Sequence, residues 1–179
     1  MREALKGLEF RNFEDIPDFD NKLSEFLNSL DEEVKHFRGW VEEEGALRLR
    51  YPAYGYACLD GDEIVAISYY NVPRKNSIYH FIDLLLRPEG AETGAVTKKE
   101  YQRRGISSHL EKLKGELMRK KGFKHYWYRS DSDNIAMMKW EEKKGNKPVK
   151  RTRKKLFYLI NLFDDHPHAL RLRILIQLI

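Results

Sequence analysis

Val96-Thr97-Lys98-Lys99-Glu100-Tyr101-Gln102-Arg103-Arg104-Gly105-Ile106-Ser107-Ser108 is the stretch on which the fold turns. Behind it, Ile106, Leu110, Leu113 and Leu117 recur every three or four residues, while Glu111, Lys112, Lys114, Glu116, Arg119, Lys120 and Lys121 fill the positions between. That period predicts an amphipathic helix with the charged residues on its solvent face, stopped by Gly122 after a basic last turn. Ahead of it, Ala91 to Thr97 carries Thr93, Val96 and Thr97 and predicts a short strand. A strand, a glycine-containing turn and then a helix leave the amide N–H groups of the first helical turn facing solvent, with the positive end of the helix dipole behind them. Such a turn is an anion cradle. Gly105 lets backbone and phosphate approach without a Cβ between them, and Arg103 and Arg104 add charge-assisted donors. The same residues also suit a solvated basic helix start, so the turn alone points to a phosphate-bearing cofactor without requiring one.

The flanking sequence predicts the other elements. Gly7 to Phe13 reads as a strand, and Asp15-Ile16-Pro17-Asp18 as a stop followed by a helix start. Phe19, Leu23, Phe26, Leu27, Leu30, Val34, Phe37 and Val41 keep a helical period through Glu44, which predicts two helices broken near Ser29 to Asp31. Tyr54 to Leu59 and Glu63 to Val72 are strands joined by the hairpin signal Asp60-Gly61. Ile78 to Leu86 reads as a further strand, ended by Arg87-Pro88-Glu89-Gly90. After the cofactor helix come a strand over Phe123 to Arg129, a helix from Asn134 to Lys144 closed by Gly145, and a strand over Lys155 to Leu162.

The central segment resembles the GNAT acetyltransferase superfamily, whose acetyl-CoA signature is Gln or Arg, two residues, Gly, one residue, then Gly or Ala. Gln102, Gly105 and Ser107 stand in those positions, with serine departing from the small-residue rule at the last. A second likeness lies in Asn134, Ala136 and Gly145, where the family has Asn, Ala and a closing Gly; Trp140 stands where the family has a Tyr, and Asn146 where it has a Phe. The element order is also the family's. The resemblance covers roughly residues 54 to 162 and is strongest over 91 to 145. It implies an α/β (α+β) fold: one GNAT-like domain over residues 1–163, a mixed, mostly antiparallel sheet flanked by helices, and acetyl-CoA held at splayed central strands. Val96, Thr97, Gln102, Arg103, Arg104, Gly105, Ile106, Ser107, Ser108, Asn134, Ala136 and Trp140 are its implied cofactor residues.

The resemblance further implies transfer of acetyl from acetyl-CoA directly to a primary amine: a small amine, a polyamine, an amino acid or a protein amine. A free alkylamine, with a pKa of about 10.4, is almost wholly protonated at neutral pH, so a carboxylate has to take its proton. Glu92 is one candidate, because some branches of the family carry a glutamate base near that place; an exposed strand-entry glutamate is the other reading of it. Asp83, flanked by Ile82 and Leu84, is the alternative base. A backbone N–H near Val96 would meet the developing oxyanion. An indole N–H is too weak an acid to protonate the departing thiolate, so Trp140 leaves that step to water or another hydroxyl; Trp140 also suits plain packing beside Ile135 and Met137. A GNAT-fold protein without turnover, binding acyl-CoA or associated with nucleic acid, is the second functional reading.

Composition bounds the rest. The chain has 179 residues, 41% of them hydrophobic, enough for one domain with a substantial core. One cysteine, Cys58, excludes an intramolecular disulfide; His36, His80, His109 and His125 lack metal-ligand spacing and His166-Pro167-His168 reads as a short pair in a turn, so no metal is expected. Charges run through the opening residues, and no apolar run spans eighteen residues, which predicts a cytoplasmic protein without membrane attachment. The net charge of +5 and the basic run from Lys147 to Lys155 suit nucleic acid only weakly, since no stacking motif or zinc spacing accompanies them. Residues 164–179 form an extension in which Leu170, Leu172, Ile174, Ile176 and Leu178 alternate. The expectation is either an added strand of the sheet or a contact between the copies of a homodimer.

Overall fold

The two-residue turn after Asp60 organises the first strands. In the computed structural model, which describes residues 5–30, 40–43, 46–49, 53–71 and 90–161, β4 (Ala53–Asp60) and β5 (Glu63–Asn71) pair antiparallel with Asp60 opposite Glu63. Gly61 takes φ +60, the conformation such a tight turn needs. β1 (Leu8–Asn12) adds to β4 in antiparallel register, from Leu8 opposite Asp60 to Asn12 opposite Tyr56. Both faces of this hairpin are buried. On one, Leu23, Phe26 and Leu27 of α1 (Phe19–Asn28) pack with Ala57, Leu59, Ile64, Ile67 and Tyr69. On the other, Ile106 and Leu110 of α2 (Ile106–Lys120) pack with Leu5, Cys58, Val65 and Ala66.

The described residues fall into two compact units: residues 5–71 with 94–117, and residues 90–93 with 118–161. The strand order is β1-β4-β5-β6 in the first, where β6 is Gly90–Thr97. In the second it is β6-β7-β9-β8, with β7 at His125–Asp131, β8 at Lys150–Arg151 and β9 at Lys155–Asn161. Gly90 to Glu92 of β6 run parallel to His125 to Trp127, whereas β7 pairs antiparallel with β9 along its whole length. Around them α3 (Ile135–Lys143) contributes one buried side chain, Glu141, and Tyr128 stacks on Tyr158 at 5.1 Å between ring centroids. The mixed, mostly antiparallel sheet with flanking helices is the architecture expected from the sequence. Among the described residues no helix is long and apolar enough to cross a membrane.

Two expectations are corrected. Trp40–Glu43, assigned to a second helix reaching Glu44, is strand β2, paired antiparallel with β3 (Ala46–Leu49) from Trp40 opposite Leu49 to Glu43 opposite Ala46. An aromatic and a β-branched residue suit a strand, and Leu49 packs against the α1 core, a long-range contact that helical periodicity cannot register. The second correction is Lys114, assigned to the solvent face of α2 but 1% exposed. It follows Ile106 and Leu110 at four-residue steps, and its ammonium meets both Glu111 carboxylate oxygens at 3.0 and 3.1 Å, while Ser68 of β5 donates to the same carboxylate at 3.4 Å. Pairing makes a buried charge tolerable. The strand expected over Ile78 to Leu86, the part of the second helix before Trp40, and the extension 164–179 lie outside the described residues.

The core carries a pH signature. Burial, then the Asp60 carboxylate, pushes the Cys58 thiol up from 9.0 to about 12; burial, then Tyr54 and Glu14, pushes the Tyr70 phenol up from 10.0 to about 12. Both groups stay neutral in the native state while the unfolded chain ionises them, so the unfolded state binds fewer protons above pH 9. Stability is therefore whole below that pH and falls as pH rises from 9 to 12, by up to about 1.4 kcal/mol per pH unit for each group in its window. Urea unfolding at pH 8 and pH 10.5 should show this loss, and Cys58→Ala should flatten the slope between pH 9 and 10. An unchanged slope in that variant would remove Cys58 from the account.

Candidate functional site

The turn between β6 and α2 lies wholly within the first unit, and side chains from both its ends hold it. The strand ends where the Lys98 N–H donates to the Val65 carbonyl at 2.9 Å, and a single 3-10 turn, Lys99–Tyr101, reverses the chain. Gln102 then reaches back, its Nε2 donating to the Thr97 carbonyl at 3.3 Å. Thr97 Oγ1 and Ser107 Oγ share a hydrogen bond at 3.0 Å, tying the last strand residue to the first helical turn. Ser107, the departure from the small-residue rule, thus acts as a latch that neither glycine nor alanine could supply. A neutral hydrogen bond of this kind contributes about 1 kcal/mol.

Backbone conformation completes the cradle. Arg103 has φ +64 and Gly105 φ +89, both in the left-handed region. For Arg103 that conformation costs about 1 kcal/mol, and Gly105 takes it without a Cβ penalty. The first intrahelical hydrogen bond is His109 N–H to the Gly105 carbonyl at 3.1 Å, so the amides of Ile106, Ser107 and Ser108 precede the helix's own ladder. Gln102, Arg103, Arg104 and Ser108 are exposed around them, while Ile106 is buried and anchors the helix start. The Arg104 guanidinium lies 4.8 Å from the Tyr101 ring centroid, and the Tyr101 hydroxyl donates to Asp60 at 2.8 Å. That hydrogen bond, before any other cause, raises the Tyr101 pKa. Buried Lys98 pairs with Glu63. First-turn amides outside the helix ladder, a left-handed glycine and two arginines are the groups that suit an anion.

Asp60, Glu63 and Tyr101 were not legible as parts of this site. Tyr101 meets Asp60, the last residue of β4, across 41 residues of chain, and Lys98 meets Glu63, the first residue of β5, across 35; no local spacing encodes such contacts.

The remaining candidates belong to the second unit. Asn134 caps α3, its Oδ1 accepting from the Met137 N–H at 3.0 Å. Ala136 is exposed, and Trp140 is half-buried with the Lys144 ammonium 3.4 Å from its ring centroid, a cation–π contact. Fully buried Glu141 accepts from Lys144 at 2.9 Å and from the Asn146 side chain at 2.6 Å, while the Asn146 N–H donates to the Glu141 carbonyl at 2.9 Å. Asn146, the second departure from the family pattern, therefore closes the end of α3 through polar contacts in place of an aromatic one. Glu92 stands opposite Trp127 in the parallel ladder. Asp83 lies outside the described residues. No group of three His, Cys, Asp or Glu that could hold a metal ion gathers among the described residues.

No family model and no curated protein matches the sequence. Solved structures do. The GNAT domain of S. lividans PAT is similar over 86% of this chain and 90% of its own, with a TM-score of 0.65 at 17% identity. The ribosomal-protein-S18-alanine N-acetyltransferase of Escherichia coli matches over 89% of this chain and 97% of its own, with a TM-score of 0.57 at 11% identity. A Salmonella typhimurium protein solved with its cofactor acetyl-CoA matches over 90% and 97%, with a TM-score of 0.54 at 10% identity. The fold is that of the GNAT acetyltransferases.

Proposed function

We propose, with the GNAT fold as premise, that this protein is an N-acetyltransferase that moves acetyl from acetyl-CoA directly to a primary amine. The observation that carries the reading is the built turn after β6, where left-handed Gly105 and the Thr97–Ser107 latch set the start of α2, whose first amides lie outside the helix ladder, directly after Arg103 and Arg104. Residues Arg103 to Ser108 would hold the pyrophosphate through backbone N–H groups and charge, with Gln102 setting the turn. Val96 and Thr97 would border the arm that reaches back along β6; Asn134, Ala136 and Trp140 are the further cofactor residues the family resemblance implies. That a structural neighbour was solved with acetyl-CoA supports the choice of thioester.

The chemistry asks three things of the chain. A carboxylate, Glu92 or Asp83, takes the proton of the ammonium so that a neutral amine attacks. The Val96 N–H donates to the thioester carbonyl oxygen as charge collects there. The leaving thiolate takes its proton from water or from a hydroxyl, because the Trp140 indole cannot give one up. Cys58, buried and held neutral, has no part in direct transfer.

One observation favours a second reading, an acyl-CoA-binding protein without turnover: Trp140, held under Lys144, stands at the family's usual tyrosine position. Release of free CoA thiol from acetyl-CoA with a panel of small amines, polyamines, amino acids and peptides separates the two. Turnover with any of them supports the transferase; binding of acetyl-CoA with silence across the panel supports the second reading. Acetyl-CoA at about a hundred times its dissociation constant should stabilise the fold by about 2.7 kcal/mol under either. Glu92→Gln should lower the turnover rate at pH 7 about 100-fold with acetyl-CoA affinity unchanged, and part of the loss should return at high pH, where the amine is already neutral. An undiminished rate would move the base to Asp83.

A further inference from the structure

We propose that Tyr69 is a specificity-determining residue that limits the length of the transferred acyl group; this rests on the acyl-CoA reading above. The observation is a close approach inside the first unit. A Cβ built on Gly94 of β6 would stand 2.5 Å from Tyr69 Cζ and Oη and 2.9 Å from Cε1, so the phenol ring lies directly against the strand backbone at that residue. Any side chain at position 94 would displace the ring. Glycine there is the space the ring occupies, and Gly94 has an ordinary negative φ, so no turn or strain otherwise calls for it. The ring is 6% exposed and is fixed from behind by the core that holds Phe26, Leu27 and Ile67.

The direction of the bound molecule follows from the order of the site along β6. The anion cradle lies beyond the C-terminal end of the strand, so a thioester arm running back from it meets Thr97 and Val96 before Gly94. Alternate residues of a strand share a face, about 6.7 Å apart. Val96 packs against the same core cluster as Tyr69, which puts the ring one alternate position beyond the amide proposed to hold the carbonyl. An acetyl group ends before the ring, whereas a chain continued by two methylenes runs into a side chain backed by packed core, which yields poorly.

Calorimetric binding of acetyl-CoA, butanoyl-CoA and free CoA tests this without an acceptor amine. The wild type should bind butanoyl-CoA at least about tenfold more weakly than acetyl-CoA, as steric selection against extra methylenes gives. Tyr69→Phe should keep that ratio within about twofold, and Tyr69→Leu, which shortens the side chain but keeps it apolar, should narrow it to about threefold or less. Equal wild-type affinity for the two thioesters overturns the proposal without any variant, and so does an unchanged ratio in a folded Tyr69→Leu protein. If both thioesters and free CoA bind and chain length makes no difference, only the role of Tyr69 falls. If none of the three binds at millimolar concentration, the acyl-CoA reading falls and this proposal with it.

Discussion

Gly105→Val should raise the dissociation constant for CoA about 1000-fold while leaving the protein folded. At φ +89 a β-branched residue is strained by about 1–3 kcal/mol. The turn is exposed on its outer side, so it can relieve that strain by rotating away from the left-handed region rather than by unfolding the core. Rotation swings the Gly105–Ile106 peptide and the amides behind it off the direction they share. Each hydrogen bond from such an amide to a phosphate contributes about 1.5–3 kcal/mol, so losing two amounts to about three powers of ten. The Ile106 and Leu110 side chains stay in their core cluster, which is why thermal unfolding without ligand should move little. Calorimetric titration with CoA reads the effect. An affinity within threefold of wild type would mean that the arginines alone, as a diffuse basic patch, carry the binding; the salt dependence of Kd would then be steep.

Gly55→Ala should lower stability by at least about 3 kcal/mol, or about 10 °C in Tm for a chain of this size. Gly55 faces Tyr69 across the β4–β5 ladder, and a Cβ built there would overlap the Ser68 carbonyl oxygen and stand 2.7 Å from the Tyr69 Cα. The obstacle is backbone on both counts, so no rotamer change relieves it, and the two strands must separate locally. That separation would also shift Tyr69 and Ser68, the first lying against Gly94 and the second donating to Glu111 of α2. Affinity for acetyl-CoA should therefore fall as well, by a factor the stability loss alone does not predict. Urea unfolding measures the first effect; a loss below about 1 kcal/mol would mean that the strands can part there at little cost.

How much of this was legible in advance depends on the range of each interaction. The strand, turn and helix from Ala91 to Gly122 were readable because glycine, a helical period and a C-cap are local signals, and the observed β6 and α2 agree with them closely. The hairpin turn after Asp60 was readable for the same reason. Trp40 to Glu43 was misread because the apolar spacing before it continues a helical period by coincidence, and the partner strand that decides the matter comes afterwards in sequence. Lys114 was misread because charge is a poor guide to exposure once a carboxylate three residues away accompanies it inward. Ser107 and Asn146 looked like weaknesses of the family pattern. In place, one ties the turn to the strand and the other closes α3 against a buried carboxylate.

Outside the β2–β3 pair, the sequence by itself determined the kinds of the main elements, their order and a glycine-containing turn ahead of an amphipathic helix, since propensity, capping and periodicity act over a few residues. The tertiary structure alone decided that Asp60 holds Tyr101, that Lys114 is buried against Glu111, and that Gly55 and Gly94 make room for Ser68 and Tyr69. Those contacts join residues far apart in the chain, and their energies depend on close packing of particular atoms, which no local pattern of residue types records.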